Sequence, residues 1–207
     1  VPGRNGSILF PRELADRRIE LDCAFVGSSL ADIRTKARDI AAWLNTTDRA
    51  SLSFDDETGK TYKAKLASAV DFDHIGRMGQ FGLSFICEPL AYGEQVTASF
   101  ISDSATVTNA GTFSALPIIE ATFADIASEF KVTLGTEYIR VVHDFEVNDI
   151  LKIDTGTGAI LINGTRAMDK LDWQNSRFFD LPVGESTLSI TPTGKCTASV
   201  KYTPRWL

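Results

Sequence analysis

The second half of the chain has the pattern of short strands separated by turns. From Ile118 to Tyr202, short runs alternate apolar and polar side chains, and Gly, Pro, Asn and Asp residues separate them. No apolar stripe at helical spacing interrupts this pattern. We predict strands at 118–123, 130–133, 138–142, 150–153, 159–162, 178–181, 187–191 and 197–202. Such a series favours a β-sandwich or jelly roll.

The closing stretch strengthens this interpretation. Around Pro182 and Gly184, apolar and polar residues alternate on both sides of a Pro-x-Gly turn. This pattern is typical of a half-buried antiparallel strand pair, so we expect 178–181 to pair with the strand that follows the turn.

The first half contains one clear helix. Between residues 30 and 44, Leu and Ile residues and small Ala residues recur at helical spacing. Ser29 and Asp32 form a capping pair, in which Ser29 accepts an amide and the carboxylate reaches back toward the helix start. Strands are predicted at 19–25, 52–54, 62–70 and 81–87, with a polar turn at 55–60. A sheet with one packed helix gives an α+β layout.

The residues between these halves change in composition. From Pro89 to Thr112 the chain is rich in Ser, Thr, Ala, Gly and Asn, which suggests a connecting strand or linker. We therefore divide the chain into domains 1–103 and 104–207.

Charge and composition exclude several function classes. The net charge is -6, and both halves contain more acidic than basic residues, so the basic surface that binds phosphates is absent. No stretch is long and apolar enough for a membrane span, and no signal pattern opens the chain. We expect no nucleic-acid-specific binding and no membrane partner. The three cysteines, Cys23, Cys87 and Cys196, are expected to be free thiols.

Short motifs offer weak candidates for catalysis or metal binding. Asp154-Thr155-Gly156 matches the aspartic protease triplet, but it lacks a second copy and suits a hairpin turn. Asp71, Asp73 and His74 could supply metal ligands, yet strand alternation directs them to opposite faces. The turn at 55–57 and His143 are likewise read as structural. We predict no catalytic residues, no metal site and no cofactor.

Aromatic residues leave one further possibility. Core packing is expected for Phe178, Leu181 and Trp206, whereas Trp173 lies in the polar, loop-like stretch 172–176. An exposed Trp on a sandwich can stack against a sugar ring. Trp173 is therefore the candidate glycan contact.

The chain resembles the distal tail proteins of long-tailed, siphovirus-type bacteriophages over nearly its whole length. The order and spacing of several short motifs support this resemblance. These motifs are Pro2-Gly3-Arg4-Asn5-Gly6, Arg18-Ile19, Ile40-Ala41-Ala42-Trp43-Leu44, Leu52-Ser53-Phe54-Asp55-Asp56, Tyr62-Lys63-Ala64, 85–92, Asn109-Ala110-Gly111-Thr112, Pro117, Leu151-Lys152-Ile153-Asp154 and 178–184.

The resemblance implies a structural role in the virion tail, after assembly in the host bacterial cytoplasm. Domain 1–103 would form a homo-hexameric ring that joins the tail tube to the baseplate or tail tip. DNA would pass through its centre, and domain 104–207 would be a jelly roll similar to galectins or carbohydrate-binding modules. The implied partners are the tail tube protein, a tail-associated fibre or lysin protein and other baseplate proteins. Such proteins begin with further strand residues before Pro2, so we expect domain 1–103 to lack its leading strand segment.

Two alternatives stay open at this point. A carbohydrate-binding β-sandwich could recognise a host cell-wall glycan through Trp173 or a neighbour. An aspartic protease would instead require Asp154 to meet a second carboxylate by dimerisation.

Overall fold

The computed structural model describes residues 13–67, 71–75 and 77–207. The chain divides into two compact units. The first consists of the residues up to Phe54 together with Thr61–Leu90, and the second of Asp55–Lys60 and Ala91–Leu207. The Pro2–Gly6 motif lies outside the described residues. The structure is mostly β with one α-helix, as predicted.

The helix α1 extends over Leu30–Leu44, the predicted bounds. Its capping pair is confirmed: the Ser29 hydroxyl accepts the Asp32 N–H at 3.2 Å, and the Asp32 carboxylate accepts the Ser28 N–H at 2.8 Å. The bond from Ser28 is the largest cause of the lowered pKa of Asp32. These bonds satisfy amides that the first helical turn leaves without partners.

The buried stripe of α1 is narrower than predicted. Ile33 is 1% exposed and Leu44 is buried, but Ile40 is half-buried and Leu30 is 55% exposed. Ile33 fits closely against the preceding turn, since a Cβ atom on Gly27 would lie 2.5 Å from Ile33 Cγ1. The helix is therefore fixed mainly at Ile33 and Leu44, which lie about three turns apart.

The first unit contains an antiparallel sheet with strand order β1-β5-β3-β2, and β4 pairs with the beginning of β5. The register of β1 against β5 is unbroken from Arg17↔Cys87 to Val26↔Met78. The predicted strand 62–70 ends at Leu66, and β4 was not predicted. The strands are β1 Arg17–Val26, β2 Ala50–Leu52, β3 Thr61–Leu66, β4 Asp71–Ile75 and β5 Met78–Tyr92.

The second unit is a β-sandwich, as predicted. One sheet has the strand order β10-β9-β14-β7, and the other β13-β12-β11-β8-β15-β6. The strands are β6 Val96–Ser99, β7 Ser104–Asn109, β8 Ile118–Phe123, β9 Ala127–Leu134, β10 Glu137–Phe145, β11 Ile150–Asp154, β12 Ala159–Ile162, β13 Thr165–Arg166, β14 Gly184–Thr191 and β15 Cys196–Tyr202. A short strand β16, Arg205–Trp206, pairs with Tyr92 and Ala91.

Alternate residues of both sheets form a single apolar core. Phe123 and Phe130 are each at most 1% exposed, and the Phe123 and Phe145 rings stack with centroids 4.0 Å apart. Leu188 contributes to the core from the middle of β14. The period of two in these strands therefore marks the inward face, as the sequence pattern indicated.

One prediction for this unit is wrong. Residues 178–181 form no strand: Leu181 makes only a two-way backbone bridge with Ala115, and β14 pairs with β7 and β9 instead. Phe179 and Leu181 are buried, so their alternation reports burial and not strand pairing.

The stretch 89–112, expected to be a connecting strand or a linker, consists largely of strands. It holds the end of β5 and two sandwich strands, β6 and β7. The inward residues of β7 are small, Ala105 and Val107, while its outward residues are Ser and Thr. This composition looked like that of a loop because the strand contributes little apolar volume.

Candidate functional site

Strand β1 is an open sheet edge within the described part of the chain. It pairs with β5 on one side, and the strand order places it at the end of the sheet. Its ten residues include no Pro or Gly, and its register has no shift. An edge of this length and regularity exposes backbone N–H and C=O groups that another strand can pair with.

The side chains of β1 alternate strictly between the two faces of the sheet. Arg18, Glu20 and Asp22 are exposed on one face. On the opposite face, β1 residues are only half-buried, whereas their β5 partners Leu83 and Phe85 are 8% and 7% exposed. The half-buried residues are Ile19, Leu21, Cys23 and Phe25. The solvent exposure of the apolar face therefore increases from β5 toward the β1 edge.

An open apolar groove of about 290 Å³ lies on this face, beside the end of α1. Trp43 forms part of its wall and is 77% exposed, the second most exposed large apolar side chain in the described residues. The groove is lined by Leu21, Cys23, Trp43, Leu44, Thr46, Ala50, Ser51, Leu52, Ala64, Leu66, Leu83 and Phe85. Contiguous exposed apolar surface of this kind marks interaction sites on soluble domains.

The motif around Asn109 has a structural role. Asn109 is 2% exposed, its Nδ2 donates to the carbonyls of Phe113 at 3.0 Å and Leu181 at 3.3 Å, and its Oδ1 accepts the Gly111 N–H at 3.1 Å. A Cβ atom on Gly111 would lie 2.2 Å from the Arg205 carbonyl oxygen. Asn109 and Gly111 therefore hold the loop after β7 against two distant segments.

Asp154 lies at the β11–β12 hairpin, as expected if its motif forms a hairpin turn. Its Oδ1 accepts the N–H groups of Gly156 and Thr157 at 2.9 and 3.1 Å, and Gly158 adopts a φ of +63°. The Thr155 hydroxyl donates to the Pro117 carbonyl at 2.9 Å. The carboxylate thus stabilises its own turn.

The other polar candidates lie apart from one another. Asp73 is exposed on β4, and the side chains of Asp71 and His74 are outside the described residues. His143 lies near the end of β10, with its ring edge-on to Phe145. Asp55 and Asp56 belong to the turn between β2 and β3. Among the side chains that the structure describes, no three His, Cys, Asp or Glu groups meet as a metal cluster.

The cysteines of the described chain are free. Burial is the main cause that raises the pKa of Cys196 to about 11, and it also raises the pKa of Cys23 and Cys87. A thiol with a raised pKa is a poor nucleophile at neutral pH. Within the described ranges, no helix has the length and apolar character of a bilayer span.

Trp173 is exposed, as the sequence allowed. Its side chain is 62% accessible, while its Nε1–H donates to the Met168 carbonyl at 3.1 Å. Of the residues expected in the core, Leu181 is fully buried, and Phe178 and Trp206 are half-buried.

A polar network holds the loop that bears Trp173 to strand β10. The Asp172 N–H donates to the Arg140 carbonyl at 3.0 Å, and the Arg140 N–H donates to the Ser176 hydroxyl at 3.0 Å. Arg140 forms ion pairs with Glu129 and with Asp172, the latter at 3.4 Å. Glu129 is the main cause of the raised pKa of Arg140. Asn175 is the main cause of the lowered pKa of Asp172.

Comparison with known protein families yields two matches that follow each other along the chain. Residues 1–87 match the phage tail protein RIFT-related domain. Residues 110–206 match the C-terminal domain of the siphovirus-type tail component.

A sequence match and a structure match, both to bacteriophage SPP1, agree with these family matches. The chain is 27% identical over 184 residues to the distal tail protein of Bacillus phage SPP1, which covers 84% of this chain and 73% of the relative. The crystal structure of the SPP1 Dit (gp 19.1) protein, described as a hub of the adsorption apparatus in phages that infect Gram-positive bacteria, superposes with a TM-score of 0.82. That alignment covers 100% of this chain and 86% of the other at 20% identity, and so shows a shared fold.

Proposed function

We propose that this chain, which belongs to the siphovirus-type distal tail proteins, forms the ring-shaped hub that joins the tail tube to the baseplate or tail tip. It is a structural component of the phage tail. In our proposal six copies associate through the N-terminal domain, and DNA passes through the centre. The ring binds the tail tube protein, a fibre or lysin protein and other baseplate proteins, after assembly in the host cytoplasm.

The observation that carries the proposal is the open edge of β1 beside the apolar groove. A strand added to β1 gains main-chain hydrogen bonds along its length. Its alternate side chains would lie beside Leu21 and Cys23, because side chains of neighbouring strands on one face are about 5 Å apart. Trp43 stands exposed at the same groove. A second copy of the chain would thus cover an edge and a surface that no other part of the described chain covers.

The charges of β1 disfavour a two-fold dimer in which β1 pairs with itself. Two antiparallel registers pair nine residues of β1 with β1 of a second copy while keeping the apolar side chains on one face. Both registers place carboxylates directly opposite each other. One register sets Glu20 against Asp22 twice, and the other sets Asp22 against Asp22. Like charges directly opposite are destabilising. We therefore assign the partner of β1 to a different surface of the next copy. Such head-to-tail contacts close into a ring when the rotation between neighbouring copies divides a full turn.

The charge of the chain suits a DNA conduit. The net charge is -6, and the polar face of the sheet has a shallow hollow that includes Asp22, Asp73 and Gln80. A lining with excess carboxylates repels phosphates and lets DNA slide, whereas a basic lining would hold it.

The proposed role requires no catalysis. Asp154, the one residue in an enzyme-like motif, is engaged by the amides of its own turn. A relative with detectable sequence similarity carries the name of a distal tail protein. We accordingly propose that the chain is not an enzyme.

Light scattering and negative-stain images of the purified full chain test the ring. We expect six-fold rings with six times the 22.6 kDa subunit mass. Two neighbouring substitutions form a matched pair: Cys23→Lys adds a charge on the groove face, which blocks strand addition, while Ala24→Lys adds the same charge on the exposed face. Cys23→Lys should give monomers and Ala24→Lys should give rings.

A second variant guards against loss of folding. Because Trp43 is already 77% exposed, Trp43→Glu should leave the thermal midpoint unchanged and still weaken the ring. Rings that persist in both Cys23→Lys and Trp43→Glu would reject this surface but keep the ring. A wild-type chain that stays monomeric at every concentration, both as residues 1–207 and when extended at its N-terminus, would reject the ring itself.

A further inference from the structure

We infer that the Trp173 loop and the outer face of strands β9 and β10 form a saccharide-binding site, which would give this tail component direct contact with a glycan surface. The site is independent of the ring, since it involves only the second unit. It consists of an exposed aromatic ring, the ion pair of Arg140 and Glu129, and a loop held to β10 by hydrogen bonds.

The aromatic ring is available for stacking. Trp173 is 62% exposed, although burial of an aromatic side chain is favourable by about 1.5–3 kcal/mol. Its only polar group is already bonded to the Met168 carbonyl, so hydration of the N–H does not account for the exposure. That bond also fixes the orientation of the indole.

The neighbours of Trp173 are polar, which separates this site from an apolar protein interface. Asp172 precedes the ring, and Gln174, Asn175 and Ser176 follow it. Cores of protein–protein interfaces are instead depleted of charged residues and gather several apolar anchors. A pyranose has an apolar C–H face and a rim of hydroxyl groups. The indole ring suits the C–H face, and the surrounding amides and carboxylates suit the hydroxyl groups.

Strand β10 places a donor and an acceptor next to the loop. Arg140 and Glu129 form an ion pair in which the side chains are 39% and 38% exposed. A guanidinium has five N–H donors, and the Arg140 bonds to Glu129 and Asp172 use three of them. The pair can therefore still donate to and accept from vicinal hydroxyl groups. Tyr138, two residues before Arg140 on the same face of β10, is half-buried, and the Lys131 ammonium lies 5.1 Å from the centroid of its ring.

The site is held in place before any ligand binds. The Asn175 Nδ2 donates to both Asp172 carboxylate oxygens at 3.1 Å, and the Ser176 N–H donates to the Asp172 carbonyl at 2.9 Å. The bonds of Asp172 and Ser176 to Arg140 attach this turn to β10. A loop with few alternative conformations loses little entropy on binding.

The experiment uses the full chain on a printed array of bacterial surface saccharides, followed by isothermal titration with the oligosaccharide that gives the strongest signal. We expect saturable binding by the wild type and a loss of at least about tenfold in affinity for Trp173→Ala, the usual effect of removing a central aromatic anchor. Trp173→Tyr should recover part of the affinity, and Glu129→Gln should weaken it.

Ile101→Ala is the control, because it removes an exposed apolar side chain from the same unit at a position with no assigned role. It should bind the oligosaccharide like the wild type. Thermal midpoints of all variants separate lost binding from lost folding. An array without any binding, or equal affinities for wild type and Trp173→Ala, would overturn the site. If the chain binds another tail protein through Trp173 and binds no saccharide, the site is a protein contact and the saccharide proposal is overturned.

Discussion

Replacement of the buried Asn109 by Ala should destabilise the sandwich strongly for a single substitution. The change removes three hydrogen bonds, at 3.0, 3.3 and 3.1 Å, and leaves the Gly111 N–H without its acceptor inside the protein. An orphaned buried donor costs about 1–3 kcal/mol, and each lost bond to a carbonyl about 1 kcal/mol. The Leu181 carbonyl keeps the Ala115 N–H at 2.9 Å. We therefore expect a loss of roughly 2–4 kcal/mol in the free energy of unfolding.

Urea unfolding of the full chain, followed by circular dichroism and Trp fluorescence, measures this loss. Thr106→Ala is the control on the same strand, since Thr106 is exposed and its contact with Thr187 is 3.5 Å long. Its free energy of unfolding should stay within about 0.5 kcal/mol of the wild type. Equal midpoints for Asn109→Ala and Thr106→Ala at unchanged slope would refute the assigned role of Asn109.

Two further predictions concern the helix and the turn. Ile33→Ala should cost about 2–5 kcal/mol because Ile33 is 1% exposed, while Ile40→Ala should cost clearly less; a larger loss for Ile40 in the same urea assay would show that α1 is anchored elsewhere. Asp154→Asn keeps an oxygen for the amides of Gly156 and Thr157, so it should change stability by less than about 1 kcal/mol. Neither this variant nor the wild type should hydrolyse casein, and wild-type turnover that vanishes in Asp154→Asn would contradict the structural role.

Local features of this chain were well predicted from the sequence. The bounds and caps of α1 depend on residues within four positions of each other, such as Ser28, Ser29 and Asp32. The hairpin at Asp154 depends on its own Thr and Gly residues. Strands β8 and β12 matched their predicted bounds, because period two over a few residues already identifies the inward face.

Strand partners were poorly predicted. The alternation at 178–181 resembles a strand, yet Leu181 bridges to Ala115, and Asn109 bonds to the Leu181 carbonyl 72 residues away. Strand β7 has the composition of a linker or connecting strand, and only its pairing with β14 in the sandwich accounts for its small inward residues. Partners of this kind depend on distant segments, and no short window of sequence contains them.

The candidate surfaces divide in the same way. The sequence alone determined the acidic balance, the polar loop around Trp173 and the motifs that identify the family. Only the tertiary structure decided that Trp173 and Trp43 are exposed, that Arg140 joins Glu129 to Asp172, and that β1 lies at a sheet edge. Exposure and edge position are properties of what packs beside a residue, and this depends on the path of the whole chain.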